Sequence, residues 1–251
     1  MAQIFKPTAN SLARASLVGA VSAPLVIGVG IAMASRSPLN TKVDVPKNQP
    51  VPFSHQHHVA ELGLDCRYCH TSVEKSASAG IPPTETCMSC HSQIWTNSPL
   101  LQPIRDSYET NTPIEWVRVN KAPEFVYFNH SIHVNRGINC NNCHGAVQEM
   151  HITWKGNSFQ MAWCLECHRA PEKYLYKDKA PENKNHTGRQ QVFDLYWKIQ
   201  TNADLDSREL GLARGESQKT EDKEEVEKGK ELINTLSVRK QQLADCWICH
   251  R

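Results

Sequence analysis

Cys66-Arg67-Tyr68-Cys69-His70 is the first of five Cys-x-x-Cys-His pentapeptides in this chain of 251 residues. The same pattern recurs at residues 87–91, 140–144, 164–168 and 246–250, and the five motifs together use all ten cysteines. Two thiols at this spacing form thioethers to the two vinyl groups of one porphyrin, and the histidine that follows binds the iron. The pattern therefore predicts five covalently bound haem c groups.

The residues predicted to hold these groups fall into two sets. The cysteines that form the thioethers are Cys66, Cys69, Cys87, Cys90, Cys140, Cys143, Cys164, Cys167, Cys246 and Cys249. The histidines that bind iron from within the motifs are His70, His91, His144, His168 and His250.

Disulfides and zinc are the alternative uses of closely spaced cysteines. Disulfides are common in cysteine-rich secreted chains, and paired Cys-x-x-Cys elements build zinc ribbons. Neither use requires a histidine directly after the second cysteine, whereas all five pairs in this chain have one. The spacing therefore favours haem attachment over both alternatives.

The composition predicts a fold with little apolar core of its own. Hydrophobic residues make up 39% of the chain, and the mean hydropathy is -0.52. Because porphyrins are large apolar plates, we expect them to serve as the core of a mostly α-helical and irregular, class III-like multihaem cytochrome with little sheet. The net charge of +2 says little about partners, but the sequence has no concentrated basic patch of the kind that binds nucleic acid.

Residues 15–35 form a stretch of 21 residues without a charged side chain. A helix needs about 20 apolar residues to cross a membrane, whereas the apolar region of a cleaved signal peptide has about 7–15. We therefore expect residues 1–36 to hold a cytoplasmic N-terminus and a retained single-pass anchor. A signal peptide cleaved near Ala32-Met33-Ala34 and a buried helix of a soluble protein stay open as alternatives.

The location of the rest of the chain follows from its cofactors. Haem c is attached outside the cytoplasm in bacteria. We therefore expect the haem-binding part to be periplasmic and anchored to the inner membrane.

An internal repeat organises the sequence beyond the anchor. The pattern Phe-x-His-x-x-His begins at Phe53 and again at Phe128, and two Cys-x-x-Cys-His motifs follow each copy. The sequence therefore predicts a Pro-rich tether at 37–52, a first dihaem unit with its connector at 53–127, a second dihaem unit at 128–188, and a helical tail with the fifth motif at 189–251. In this tail we expect amphipathic helices at 189–201 and 226–247, and a charged, solvated run at 217–230.

Histidines outside the motifs are candidates for the second axial position on each iron. Seven of the twelve histidines lie outside the motifs: His55, His57, His58, His130, His133, His151 and His186. Two imidazoles one helical turn apart face the same or adjacent sides, so one can reach the haem of its own motif and the other a neighbouring haem. An iron with two protein ligands transfers electrons, whereas an open position allows small molecules to bind.

The two Phe-x-His-x-x-His copies resemble the ligand segments of class III cytochromes of the c3 and c7 type. This resemblance implies that His55 and His58 are distal ligands in the first unit, and His130 and His133 in the second. For the fifth iron, Met150 and Met161 together are favoured, since methionine is a common axial ligand. His151, His57 and His186 stay open as alternatives.

Four stretches together resemble the pentahaem cytochrome subunit of bacterial alternative complex III. They are the anchor helix, residues 53–75, residues 80–91, and residues 128–130 with 161–169. The resemblance covers most of residues 1–176 and weakens in the tail. It implies an electron relay without a catalytic site of its own, within a quinol:electron-acceptor oxidoreductase.

The same resemblance implies a set of partners. They are multi-span quinol-binding membrane subunits, an iron–sulfur subunit related to molybdopterin enzymes, a monohaem cytochrome c, and a terminal oxidase or soluble carrier.

Two other classes of function compete with a pure relay. One is a multihaem nitrite or hydroxylamine-type reductase. Pentahaem nitrite reductases typically carry a Cys-x-x-Cys-Lys motif, and none occurs in this chain. A stand-alone membrane-anchored quinol dehydrogenase of the tetrahaem type shares the single N-terminal helix, but it lacks the doubled Phe-x-His-x-x-His pattern.

Overall fold

The structure, a computed structural model, describes residue 6 and residues 8–175, 188–201 and 203–250. Within these residues it contains helices and irregular segments and no β-sheet. This confirms the predicted class of a mostly helical and irregular fold. The chain divides into two compact units, Met1–Val43 and Asp44–Arg251.

The first unit contains one long helix, α1 (Ala9–Arg36), and one short helix, α2 (Pro38–Thr41). Helix α1 has 28 residues, none of which is buried. At a rise of 1.5 Å per residue it is about 42 Å long, compared with about 30 Å for the hydrocarbon core of a membrane. Its length and apolar composition are therefore sufficient for a membrane span.

Short helices joined by irregular segments make up the second unit. After a π-helical turn at Gln56–Glu61, they are α3 (Cys66–Cys69), α4 (Thr84–His91), α5 (Gln102–Thr110), α6 (His130–Asn135), α7 (Cys140–His144), α8 (Met161–Arg169), α9 (Gly188–Gln200), α10 (Ser207–Ala213), α11 (Lys223–Thr235) and α12 (Cys246–Cys249). Single 3₁₀ turns lie at Pro99–Leu101, Val147–Glu149, Pro171–Lys173 and Lys240–Gln242.

Every Cys-x-x-Cys pair lies within a helix, in α3, α4, α7, α8 and α12. One helical turn brings residues three positions apart to the same face, so both thiols of a pair point to one side. Two of these helices have equivalent caps. Asp65 accepts a hydrogen bond from Arg67 N at 2.8 Å, and Asn139 accepts one from Asn141 N at 2.9 Å.

The apolar core of the second unit consists of small clusters. One contains Val73, Val134, Val192 and Phe193, with Cys66, Ala79 and Cys140 packed against it. Another contains Val51, Leu101 and Ile104, with Cys87, Met88, Ile114 and Trp116 around it. Cysteines of three motifs therefore border the small core that the polypeptide forms.

The segment expected to be a tether is only partly extended. Residues 38–41 form α2. Residues 44–52 pack within the second unit, since Gln49 bonds Val117 through both its amide oxygen and its amide nitrogen, and Val51 is buried.

The structure agrees with one of the two helices predicted in the tail and differs from the other. Helix α9 confirms the helix expected at 189–201. The helix expected at 226–247 begins earlier, where Asp222 caps α11, and ends at Thr235, well before Cys246. The prediction of one continuous helix into the fifth motif is therefore wrong. Ser237 adopts a left-handed conformation, φ 53°, and Val238 N bonds back to Ile233 O, which ends the helix.

Helix α11 packs tightly against the 3₁₀ turn that follows the fourth motif. Gly229, in the middle of α11, is buried there against the Glu172 carbonyl. A glycine inside a helix is intrinsically unfavourable. This close approach gives the physical reason for the glycine.

Replacing Gly229 with alanine should destabilise the haem-loaded chain by about 1–3 kcal/mol, because the added Cβ would overlap the Glu172 carbonyl. Gly211→Ala is the matched control in α10. The nearest atom to its added Cβ is the carboxylate oxygen of Glu216, at 3.1 Å on a flexible side chain. Chemical denaturation should give a lower midpoint for Gly229→Ala alone, and equal midpoints for both variants would contradict the packing.

Candidate haem-binding sites

The two Phe-x-His-x-x-His copies have the same side-chain geometry. Phe53 stacks on His58 at 4.4 Å between ring centroids and meets His55 edge-on at 4.9 Å. Phe128 stacks on His133 at 4.5 Å and meets His130 edge-on at 4.8 Å. In each copy the phenylalanine ring therefore orients both histidines, although the first copy lies at a π-helical turn and the second in α6.

Three of these histidines face a motif histidine at a constant distance. The ring centroids of His58 and His91 are 6.2 Å apart, those of His130 and His144 are 6.4 Å apart, and those of His133 and His168 are 6.2 Å apart. Metal–imidazole bonds are about 2 Å long, so two imidazoles on opposite sides of one metal ion place their centroids about 6 Å apart. The separations fit three irons with two histidine ligands each.

His55 lies near the motif histidine of the first motif. Burial, with smaller effects from the neighbouring His70 and His58, lowers the pKa of His55 to about 4. Burial also lowers the pKa of His133 and of His144 to about 4. These imidazoles are neutral at physiological pH, and the neutral form is the one that binds a metal ion.

Backbone carbonyls fix the orientation of most of these rings through Nδ1. The donor–acceptor distances are His70 to Gly80 O, 2.7 Å; His58 to Ser54 O, 2.8 Å; His130 to Ala77 O, 2.8 Å; His133 to Asn129 O, 2.8 Å; His168 to Leu243 O, 2.9 Å; His250 to Phe125 O, 3.2 Å; and His91 to Ile94 O, 3.3 Å.

These bonds decide which nitrogen is available to a metal. A carbonyl oxygen only accepts hydrogen bonds, so Nδ1 must carry the proton and Nε2 keeps its lone pair. The same outer bond fixes the ring of most metal-binding histidines and makes the ligand more basic. No side chain in the sequence marks these carbonyl partners, because every residue supplies a backbone carbonyl.

The donor set fits haem c and does not fit zinc. All ten cysteines are free of disulfide bonds. In the described residues, no three or more Cys, His, Asp or Glu side chains converge as a metal site would require. The thiols instead lie in five pairs, and each pair is followed by one histidine. In three motifs this histidine faces a second imidazole. The ten cysteines would hold the porphyrins, and the histidine pairs would hold the irons.

A buried polar network surrounds the third motif. The amide nitrogen of Asn141 donates to Gln148 Oε1 and to Leu212 O, both at 2.8 Å. The Tyr196 hydroxyl donates to Asn141 Oδ1 at 2.8 Å, and Gln218 N donates to Asn142 Oδ1 at 2.7 Å. The tail thus covers the third motif, a contact that the sequence pattern did not predict.

The candidates for the remaining ligand lie in different surroundings. The Met150 side chain is completely buried, whereas Met161 is 65% exposed at the start of α8. His57 stacks on Trp95 at 5.4 Å, and its Nδ1 lies 2.8 Å from Glu61. His151 is exposed, and His186 lies outside the described residues.

The fifth motif lies beside the fourth. Leu243, just before the fifth motif, accepts the bond from His168. Burial raises the pKa of the Cys164 thiol, and the nearby Cys249 raises it further. Met161 precedes Cys164 by one helical turn, so the two residues lie on the same side of α8.

Repeated attachment motifs with paired, Nδ1-bonded imidazoles are the features of multihaem c-type cytochromes. No model of a known protein family matches the chain. A segment of 99 residues is 33% identical to the multiheme cytochrome c subunit of menaquinone reductase from Nitratidesulfovibrio vulgaris, strain Hildenborough. The match covers 39% of this chain and 46% of that protein, so the chain spans about half the length of this curated relative.

Replacing Tyr196 with phenylalanine should destabilise the haem-loaded chain by about 1–2 kcal/mol, because the Asn141 oxygen loses its buried donor. Tyr108→Phe is the control, since Tyr108 is 51% exposed on α5. Thermal unfolding should separate the two variants. Equal midpoints would show that the network contributes nothing to stability.

Proposed function

We propose that this chain is a membrane-anchored pentahaem cytochrome c that relays electrons within a quinone-linked oxidoreductase. The observation that carries the proposal is the set of histidine pairs, 6.2–6.4 Å apart, each joining a repeat histidine to a motif histidine. An iron with both axial positions filled by protein transfers electrons and does not bind substrates. The similarity to a multiheme subunit of menaquinone reductase supports the link to quinone chemistry.

Each residue set has a separate role in this relay. The ten cysteines would hold the cofactors covalently, and His70, His91, His144, His168 and His250 would bind the irons from within the motifs. The second histidine on each iron would be His55 for the first motif, His58 for the second, His130 for the third and His133 for the fourth. When bound, haem c supplies an iron that accepts and donates single electrons.

The outer hydrogen bonds of these ligands keep the sites rigid. A carbonyl that holds Nδ1 makes the imidazole more basic and keeps Nε2 aimed at the iron. Little reorganisation of the protein is then needed when an electron arrives or leaves. The imidazoles of His133 and His144 are buried and neutral, so both are in the form that binds a metal ion.

Helix α1 is the proposed anchor. Its length and composition support a single span. Haem attachment outside the cytoplasm would make the second unit periplasmic, and the N-terminus would then be cytoplasmic. The relay would then work at the outer surface of the bacterial inner membrane.

The proposed complex is alternative complex III, in which quinol is oxidised by multi-span membrane subunits. Electrons would pass through an iron–sulfur subunit, this chain and a monohaem cytochrome c to a soluble carrier or terminal oxidase. The second candidate is a complex that works in the opposite direction, and the named activity of the relative, menaquinone reductase, favours it.

The relay can be tested with the haem-loaded chain and its complex. A pyridine haemochrome assay against protein mass should give five haems per chain. The isolated chain should show only low-spin haem and should neither oxidise quinol nor reduce nitrite, whereas the complex should reduce these haems when quinol is added. Fewer than five haems, a high-spin population or turnover by the isolated chain would overturn the proposal.

For the fifth motif we assign Met161 as the distal ligand. Met161 is exposed on the side of α8 that carries Cys164, and the fifth motif adjoins that helix. Met150 is fully enclosed by protein atoms and would have to move to reach an iron.

Replacing Met161 with leucine should abolish the near-infrared magnetic circular dichroism band of a His/Met haem. Met150→Leu is the matched control and should keep this band, although it changes a buried side chain. Loss of the band in the control alone would assign Met150 as the ligand. A native protein without the band would exclude both methionines.

A further inference from the structure

The two dihaem units contact each other, and each binds a segment of the other. Helix α6 of the second unit binds the segment that follows the first motif. Both the backbone N and Nδ1 of His130 lie within hydrogen-bond distance of Ala77 O, at 3.2 and 2.8 Å. Asn135 adds a bond to Glu74 O at 3.0 Å.

The first dihaem unit, residues 53–127, makes the reciprocal contact. Its π-helical turn, which follows His55, binds the segment after the third motif. Gln56 N donates to Met150 O at 3.1 Å, and His55 Nδ1 lies 3.1 Å from Thr153 Oγ1. Each unit therefore supports its first repeat histidine on the other unit.

The contact joins equivalent parts of the repeat. The first and third motifs hold the same place in their units, and Cys66 and Cys140 pack against one apolar cluster. A contact to which both units contribute the same surface is typical of two-fold symmetry. The first and third motifs are therefore neighbours across a pseudo-two-fold contact.

A direct bond joins the first motif to the second. Tyr68 lies between the cysteines of the first motif, and Ser89 lies between those of the second. Their hydroxyl oxygens are 2.8 Å apart. The second motif thus adjoins the first one within its own unit.

Helix α6 and the segment after it join the third motif to the fourth. His130 faces His144 from one end of α6, and His133 faces His168 one turn later. Phe159 lies 6.0 Å from the His144 ring and 5.4 Å from Trp163, the residue before Cys164.

The fifth motif adjoins both the fourth motif and the segment before α6. His168 Nδ1 donates to Leu243 O at 2.9 Å, just before the fifth motif. Tyr127 N donates to Cys249 O at 2.8 Å, while the adjacent Phe128 stacks on His133 at 4.5 Å.

From these junctions we infer that the five haem sites are ordered in space as second, first, third, fourth and fifth. Electrons then enter or leave the chain at the second and fifth sites, and the first site is interior. This order rests on the proposed function as a five-haem relay, and it differs from the order of the motifs in the sequence.

Iron positions in the haem-loaded chain, from anomalous X-ray scattering or electron cryomicroscopy, test the order directly. The iron held by His70 should have the irons of His91 and His144 as its nearest neighbours, and the iron of His250 should lie nearest that of His168. The order is overturned if the His91 iron lies between those of His70 and His144. A count below five irons would instead refute the five-haem proposal.

Two ligand variants provide an independent test in solution. Methionine in place of a histidine ligand raises the potential of that haem, as Met161 does for the fifth haem in the unmodified chain. At a suitable applied potential the mutated haem and the fifth haem are therefore reduced and diamagnetic while the other three stay oxidised, and each variant is compared with the unmodified chain at that potential. A diamagnetic haem no longer broadens the electron paramagnetic resonance signals of its neighbours. In His58→Met, which changes the second site, the low-spin signal of one neighbouring haem should therefore become narrower. In His55→Met, which changes the first site, two signals should become narrower.

The sequence order of the motifs would give the reverse result, with two signals for His58→Met and one for His55→Met. His57→Met is the control and should leave all signals unchanged. If neither variant shows a raised potential, the ligand assignment fails, whatever the order of the sites.

Discussion

The hydrogen bond from an imidazole Nδ1 to a backbone carbonyl is the interaction on which the arrangement of the haem sites depends. It fixes the tautomer and the ring plane at once, and it leaves Nε2 as the free lone pair. Three of the acceptors lie on distant segments, Ala77 for His130, Leu243 for His168 and Phe125 for His250, so these three bonds also tie two parts of the chain together. The same contacts therefore orient the ligands and hold the units in place.

Such long-range contacts explain why the second unit needs so little regular secondary structure to hold together. The described core consists of small apolar clusters, and most helices of the second unit are only one or two turns long. Isolated helices of this length are unstable in water, so covalent cofactors and long-range polar contacts must supply the cohesion. The network of Asn141, Gln148 and Tyr196 does this around the third motif by recruiting the tail.

Duplication gives the haem-binding motifs their arrangement. Two copies of one Phe-x-His-x-x-His segment, each with a phenylalanine that orients two histidines, meet through their equivalent motifs. The fifth motif extends the array only on the side of the second dihaem unit, where Leu243 supports His168. A duplicated pair with one extension has two different ends, which would suit the proposed relay.

The sequence alone determined the five Cys-x-x-Cys-His motifs, the doubled Phe-x-His-x-x-His pattern, the apolar helix and the helix at α9, because each depends on local spacing or periodicity. It did not determine the end of α11, since that depends on a left-handed Ser237, or the reason for Gly229, which depends on a distant carbonyl. Nor could it assign each repeat histidine to one motif. Only the tertiary structure brings His58 to His91 and His133 to His168, because those pairs join segments whose approach is set by contacts far apart in the chain.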